Sequence, residues 1–259
     1  MSAFKDHFSV GSAGYAAYRP TYPRALADFL ADASPGTELA LDCGCGSGQL
    51  SVLLAGRFAR VVATDASAKQ IENAEPRAGV EYRVAPAEAS GLPNGSADLV
   101  TAAQAAHWFD LPAFYAEARR VLRPRGIVAL VTYGIIEMDE PVHEVVRHFY
   151  RDVVGPYWPP ERRHVEEGYR AFDFPFAEFP APPLAIEATW NLGELTGYAD
   201  TWSATRAAEK ALGRAPIERF RRDLAEAWGE PEARRTVRFP LSLRVGRVQP
   251  VTRSNRSVI

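Results

Sequence analysis

The chain has 259 residues, 24% of them charged and 47% hydrophobic, enough apolar material to close a full α/β core and too much for a disordered or fibrous chain. Thirty basic against thirty-two acidic side chains leave a net charge of −2, so no overall field draws a phosphate backbone, and nucleic acid is not the expected partner. No signal-type apolar run opens the chain, no stretch reaches about 18 apolar residues, and Cys43 and Cys45 alone build neither a disulfide framework nor a structural zinc site; the expectation is a cytoplasmic protein with reduced thiols, no membrane contact and no metal.

In chain order, Pro23–Ala33 places Leu26, Phe29 and Leu30 at helical spacing behind a first-turn proline, and should pack on a sheet. Short runs rich in Val, Leu and Ala then alternate with helix-compatible stretches. Strands are predicted at Leu39–Cys43, Arg60–Asp65, Val80–Pro86, Ala97–Ala103 and Gly126–Thr132, each too apolar to keep one face in water. Helices are predicted at Gly48–Gly56, Ser67–Ala74 and Leu111–Leu122, the last stopped by an Arg123-Pro124-Arg125-Gly126 turn. This is the rhythm of a parallel sheet covered on both sides.

After Gly134 the texture changes. Asp139–Val154 is helical by pattern, and 155–183 carries seven prolines and many aromatics, which reads as an insertion or lid. Ala185–Asn191 should be a strand, Thr196–Ala211 and Ala215–Trp228 helices, and Thr236–Val248 a strand interrupted by Pro240. The expected layout is one domain overall: cover and binding core over 1–134, lid over 135–185, completion of the sheet over 186–248, and a fraying tail over 249–259.

The most informative segment is LDCGCGSGQL, residues 41–50: an apolar strand, three glycines spaced by two, then a helix. Missing side chains let a ligand touch backbone there, and the helix amino end favours an anionic or strongly accepting group. A dinucleotide fingerprint needs a glycine at the sixth position, where Gln49 stands, and a P-loop needs a lysine after the glycines. A nicotinamide enzyme is therefore the weaker alternative. Asp65 ends the second strand seventeen residues after Gly48; it can accept both hydroxyls of a ribose or cap the following helix, and the glycine loop tips the reading to ribose. Ala85-Pro86-Ala87-Glu88 and Gln104-Ala105-Ala106-His107-Trp108-Phe109 follow the third and fourth strands, on the edge where open α/β sheets bind ligands.

With LDCGCGSG, ATDAS, APAEASGLPNGSADLV, AAHWFD and EARRVLRPRGIVAL on the page, residues 13–134 resemble a class I S-adenosylmethionine-dependent methyltransferase. More narrowly, YAAYRPTYP, AAHWF and the late TWSATRAA resemble the trans-aconitate methyltransferase type. The resemblance implies a doubly wound, mostly parallel seven-stranded Rossmann-like sheet with a helical lid, and S-adenosyl-L-methionine as cofactor. It places Gly44, Gly46 and Gly48 under the methionine part, Asp42 at the loop and the amino group, Asp65 on the ribose, Ala66 on one adenine face, and Ala87, Glu88 and the Gln104 carbonyl at the adenine's edge. It also makes Tyr15, Tyr18 and Arg19 an amino-terminal cover over the cofactor.

Methyl transfer is an in-line displacement, so alignment and exclusion of water matter more than a dedicated base. His107 is the candidate base if the acceptor must lose a proton, and otherwise contacts substrate or braces Trp108. Trp108, Phe109, Tyr133, Tyr157, Trp158, Trp190 and Trp202 are candidate pocket walls. Arg163, Arg170 and Arg206 are candidate anchors for a substrate carboxylate, while the short Arg162-Arg163-His164 and Arg234-Arg235 clusters, flanked by acids, are too small to argue for nucleic-acid binding. The expected activity is methylation of a small molecule, a carboxylic acid among the candidates, by a monomer or homodimer. The competing reading is a binding module of the same fold, without turnover or acting on a macromolecule.

Overall fold

The computed structural model describes residues 21–249. Tyr15, Tyr18, Arg19 and nearly all of the tail therefore lie outside the described residues. A parallel core comes first. β1 (Leu39–Cys43) pairs with β2 (Arg60–Asp65) on one side and β4 (Ala97–Ala103) on the other, and β3 (Val80–Val84) extends beyond β2. Every β1 residue is buried, because helices cover both faces of the strand. α1 (Arg24–Ala33) turns Leu26, Ala27, Leu30 and Ala31 onto that core. α2 (Gln49–Leu54) leaves the glycine loop, and α3 (Ala68–Glu72) follows β2 with Ser67 as its cap. α4 (Leu111–Val121) is capped by Asp110, which accepts from Ala113 N–H at 3.3 Å.

β5 (Leu122–Tyr133) corrects one expectation. Arg123–Gly126 is not a turn between helix and strand but an irregularity within the strand: the pairing with β4 jumps from Ala97↔Leu122 to Leu99↔Ile127, and Arg125 takes φ 67°. Proline and glycine fit here because a bulge needs neither regular pairing nor a side chain in a tight bend.

The second half of the chain returns to the same sheet. β8 (Arg235–Arg247) runs antiparallel to β5 through residues 241–247, and β6 (Ala177–Phe179) pairs with its carboxyl end. β7 (Ala185–Trp190) pairs with residues 235–240 of β8. The order is β3-β2-β1-β4-β5-β8-β6, seven strands on one path, with β7 an eighth strand beside it. Pro240 does not break β8; it sits where the strand passes from one partner set to the other.

Between β5 and β6 lies a largely helical segment. α5 (Val142–His148) runs into a π turn at Phe149–Val153 and a 3₁₀ turn at Gly155–Tyr157, and α6 (Arg162–Glu166) follows. The expected single helix Thr196–Ala211 is two: α7 (Leu192–Asp200) and α8 (Ser203–Leu212). Asn191 and Glu194 form a reciprocal capping box that starts α7 early, and Trp202 sits in the break. α9 (Ala215–Trp228) buries Ile217, Phe220, Leu224 and Trp228. Phe149 stacks on Phe220 at 3.8 Å, and Tyr150, Trp158, Tyr198 and Trp202 join the same aromatic cluster. This segment and the carboxyl-terminal helices thus share one core.

Candidate functional site

A cavity of about 950 Å³ opens at the carboxyl ends of β1, β2 and β4 and runs to the segment Tyr157–Glu161. Asp42, Gly44, Gly46, Asp65, Ala66, Ala87, Glu88, Gln104, His107 and Trp108 line it, as do Phe109, Tyr157 and Trp158. The sequence-derived residues of four separate loops therefore meet in one space.

The glycine loop is built by three left-handed residues: Gly44, Gly46 and Gly48, with φ of 65°, 56° and 91°. Their roles differ. A side chain at Gly44 would collide with Ala105, at 2.5 Å, and one at Gly48 with the Tyr82 phenol, at 2.2 Å. At Gly46 a side chain would meet only Gln70, at 3.9 Å, and would stand in the cavity. Gly48 is not among the residues that line the cavity; its missing side chain lets the loop close over Tyr82.

Asp65 is tied to this loop. Its Oδ2 accepts from Gly46 N–H at 2.9 Å and its Oδ1 from Ser67 N–H at 2.8 Å. The helix cap is Ser67, not Asp65, so the carboxylate keeps one further lone pair on each oxygen for a ligand. Asp42 is buried and accepts from Ser51 Oγ at 2.6 Å and Thr101 Oγ1 at 2.9 Å. Burial nevertheless pushes its pKa up to about 6. Glu88 Oε1 accepts from Asp110 N–H at 2.9 Å, tying the loop after β3 to the start of α4.

Gln104 has φ 55°, a conformation uncommon for a side chain of its size. It is held there on both sides: its Nε2 donates to the Tyr133 carbonyl at 2.8 Å and its Oε1 accepts from Thr132 Oγ1 at 2.9 Å. His107 lies in the 3₁₀ turn Ala106–Trp108, and its Nδ1 sits 2.9 Å from Tyr169 Oη. Burial, then repulsion from Arg162 and His164, lowers its pKa to about 3, so the imidazole is neutral at ordinary pH. Tyr169 is fully buried, has φ 60° and stacks on Phe172 at 4.9 Å; Arg244 pins its carbonyl at 3.0 Å.

Several expected wall residues stand elsewhere. Tyr133 lies behind the cavity against Phe239 and contributes its carbonyl to Gln104. Trp190 and Trp202 are packed in the aromatic core. Arg163 and Arg170 are exposed. Arg206 lies in a separate groove of about 230 Å³ with Asp200, Glu209, Arg214 and Arg221, where it donates to the Thr201 carbonyl at 3.2 Å; it does not line the larger cavity. Tyr22, Gln49, Leu50 and Gln70 line the cavity without having been singled out. Tyr169 was missed too, since nothing in its local pattern separates it from a core tyrosine.

No carboxylate, thiol or imidazole cluster suited to a metal ion occurs among the described residues. Buried Cys43 and Cys45 are pushed far above the ordinary thiol range by desolvation and by Asp42, and are packing groups. No helix among the described residues is long and apolar enough to cross a membrane.

Residues 41–130 match the family model described as a methyltransferase domain. A protein of Dictyostelium discoideum named as a methyltransferase is 36% identical over 231 residues, covering 87% of each chain. A protein of Saccharomyces cerevisiae named as a probable S-adenosylmethionine-dependent methyltransferase is 26% identical over 171 residues, 61% of this chain and 59% of that one. Among solved structures, one from Anaeromyxobacter dehalogenans described as a type II methyltransferase superposes with a TM-score of 0.86 at 48% identity, covering 90% of this chain and 99% of that one.

Proposed function

This chain belongs to the class I S-adenosylmethionine-dependent methyltransferases, and from that premise we propose that it methylates a small carboxylic acid held in the chamber between His107 and Trp158. The observation that carries the reading is the continuity of the cavity from Gly46 and Asp65 to the lid. S-Adenosylmethionine supplies a methyl group on a sulfonium, already activated for displacement.

The residues fit such a donor. Asp42, Asp65 and Glu88 bring acceptors to the donor end of the cavity, matching a ligand with an ammonium, a sulfonium, ribose hydroxyls and an exocyclic amine. Gly46 leaves the room its side chain would fill. In this reading Asp42 faces the amino group, Asp65 the ribose, Ala66 an adenine face, and Ala87, Glu88 and Gln104 the adenine edge. Tyr157 and Trp158 exclude water from the reacting atoms.

His107 favours an acceptor that needs no base. Burial, with Arg162 and His164 nearby, holds the His107 imidazole well below its ordinary value, at about 3, which makes it a weak base. It is too weak to deprotonate a neutral hydroxyl, but a carboxylate is already ionised. His107 then orients the acceptor by a hydrogen bond at Nε2. The likeness of YAAYRPTYP and AAHWF to trans-aconitate-type enzymes supports the same acceptor class.

Incubation with labelled S-adenosylmethionine and a panel of carboxylic acids, phenols and amines, followed by mass analysis, tests this. A methyl ester from at least one acid is expected; products from phenols or amines alone, or no product with any small acceptor, would overturn it.

A further inference from the structure

Arg162 is a half-buried cation held by a phenol and two aromatic faces. It opens α6 directly after Glu161, a cavity-lining residue. Its guanidinium lies 4.8 Å from the centroid of Trp158, another lining residue, and 5.6 Å from that of Tyr150. Nε donates to Tyr150 Oη at 2.8 Å, and Tyr150 donates onward to Glu166 Oε1 at 2.8 Å. Among the described residues Arg162 forms no ion pair and its two Nη groups have no hydrogen-bond partner. Its charge reaches His107, whose protonation it opposes.

A partly desolvated guanidinium between apolar walls is relieved by an anion, and its planar fork matches a carboxylate in particular. The nearby charges limit the choice. Glu161 and Glu166 flank it, His164 is the other basic group close by, and the donor end carries Asp42, Asp65 and Glu88. One cation in this acidic setting suits a monoanion better than a phosphate dianion.

We propose that Arg162 recognises the acceptor's carboxylate, with the acceptor's hydrocarbon body lying against Trp158. The juxtaposition that carries this is the Arg162 guanidinium, its Nη groups without a hydrogen-bond partner among the described residues, over the Trp158 indole that lines the chamber; Arg162 itself is not among the lining residues. The assignment rests on the methyl-transfer reading of the cavity.

The test is calorimetric. Protein saturated with S-adenosylhomocysteine is titrated with phenylacetate and 3-phenylpropionate, each against its primary amide, and with phenyl phosphate. The wild type should bind the acids at least about tenfold more tightly than the amides. Arg162→Gln should bind acid and amide alike, and Arg162→Lys, which lacks the fork, should keep only part of the preference. All three should bind S-adenosylhomocysteine equally. A full preference surviving in either variant, or no preference in the wild type, would overturn the assignment, as would phenyl phosphate binding as tightly as the acids. Wild type that binds the acids through Arg162 but not S-adenosylhomocysteine would instead refute the methyl-transfer reading and leave the anion site standing.

Discussion

His107 Nδ1 lies 2.9 Å from Tyr169 Oη across a sequence gap of 62 residues, and this pair fixes the only imidazole that lines the cavity among the described residues. Tyr169 is itself anchored by its left-handed backbone, by stacking on Phe172 and by Arg244 on its carbonyl. The ring of His107 is therefore set from β8 and the segment after α6 as well as from its own loop.

Tyr169→Phe removes the hydroxyl and keeps the stacked ring. A lost neutral hydrogen bond is worth about 0.5–1.5 kcal/mol, so kcat/KM for the acid should fall roughly twofold to tenfold. Donor affinity should not change. Steady-state kinetics beside a donor titration check the split; a weakened donor with unchanged kcat would place Tyr169 in the wrong half of the cavity.

Asp65→Ala should weaken S-adenosylmethionine binding by about 1.5–3 kcal/mol, the range for hydrogen bonds to a charged group. The same change frees Gly46 N–H from its partner, so the loop loosens as the ribose contact is lost. Calorimetry reads the affinity; unchanged binding would remove Asp65 from the donor site.

Asp42 gives the pH dependence a sign. Its folded-state pKa of about 6 is raised above the ordinary aspartate value by burial. The folded protein therefore binds more protons than the unfolded chain between about pH 4 and 6. Stability of the free protein should fall as pH rises through that window and level off above it. A donor ammonium beside Asp42 selects the ionised form, so donor affinity should fall as pH drops below about 6. Asp42→Asn should flatten both profiles, as read by denaturant melts and calorimetry at stepped pH.

His107 should add no limb near pH 6.5. With its pKa lowered to about 3, it stays neutral across pH 7–9, and kcat/KM for a carboxylic acid should be flat there. A rise with a midpoint near 6.5 that vanishes in His107→Asn would contradict the neutral, orienting role.

Much of this was legible in the chain. β1, β2 and β4 lie where the apolar runs placed them, because strands buried on both faces carry their burial in composition alone. The glycine loop and Asp65 were readable because close backbone approach and a strand-tip carboxylate are local features. Arg162 was not: within Arg162-Arg163-His164 the sequence cannot tell the residue that turns onto Trp158 from the exposed Arg163 beside it. Arg206 failed for the mirror reason: on α8 it faces a separate groove with Asp200 and Glu209 rather than the cavity. Long-range packing decides which face of a short helix meets a cavity, and periodicity carries no record of it.

Gly46→Val tests the loop without removing a polar group. The valine would have to adopt a φ near 56° and stand in the cavity, so donor binding should be lost while circular dichroism stays close to wild type. Retained affinity would mean the donor does not pass over Gly46.

The most direct measurement is a crystal structure grown with S-adenosylhomocysteine. The account places its ribose within hydrogen-bond reach of Asp65, its amino acid part over Gly46 beside Asp42, and its sulfur facing the chamber between His107 and Trp158. Density for the compound anywhere else, with this crevice empty or filled by a different molecule, would contradict it.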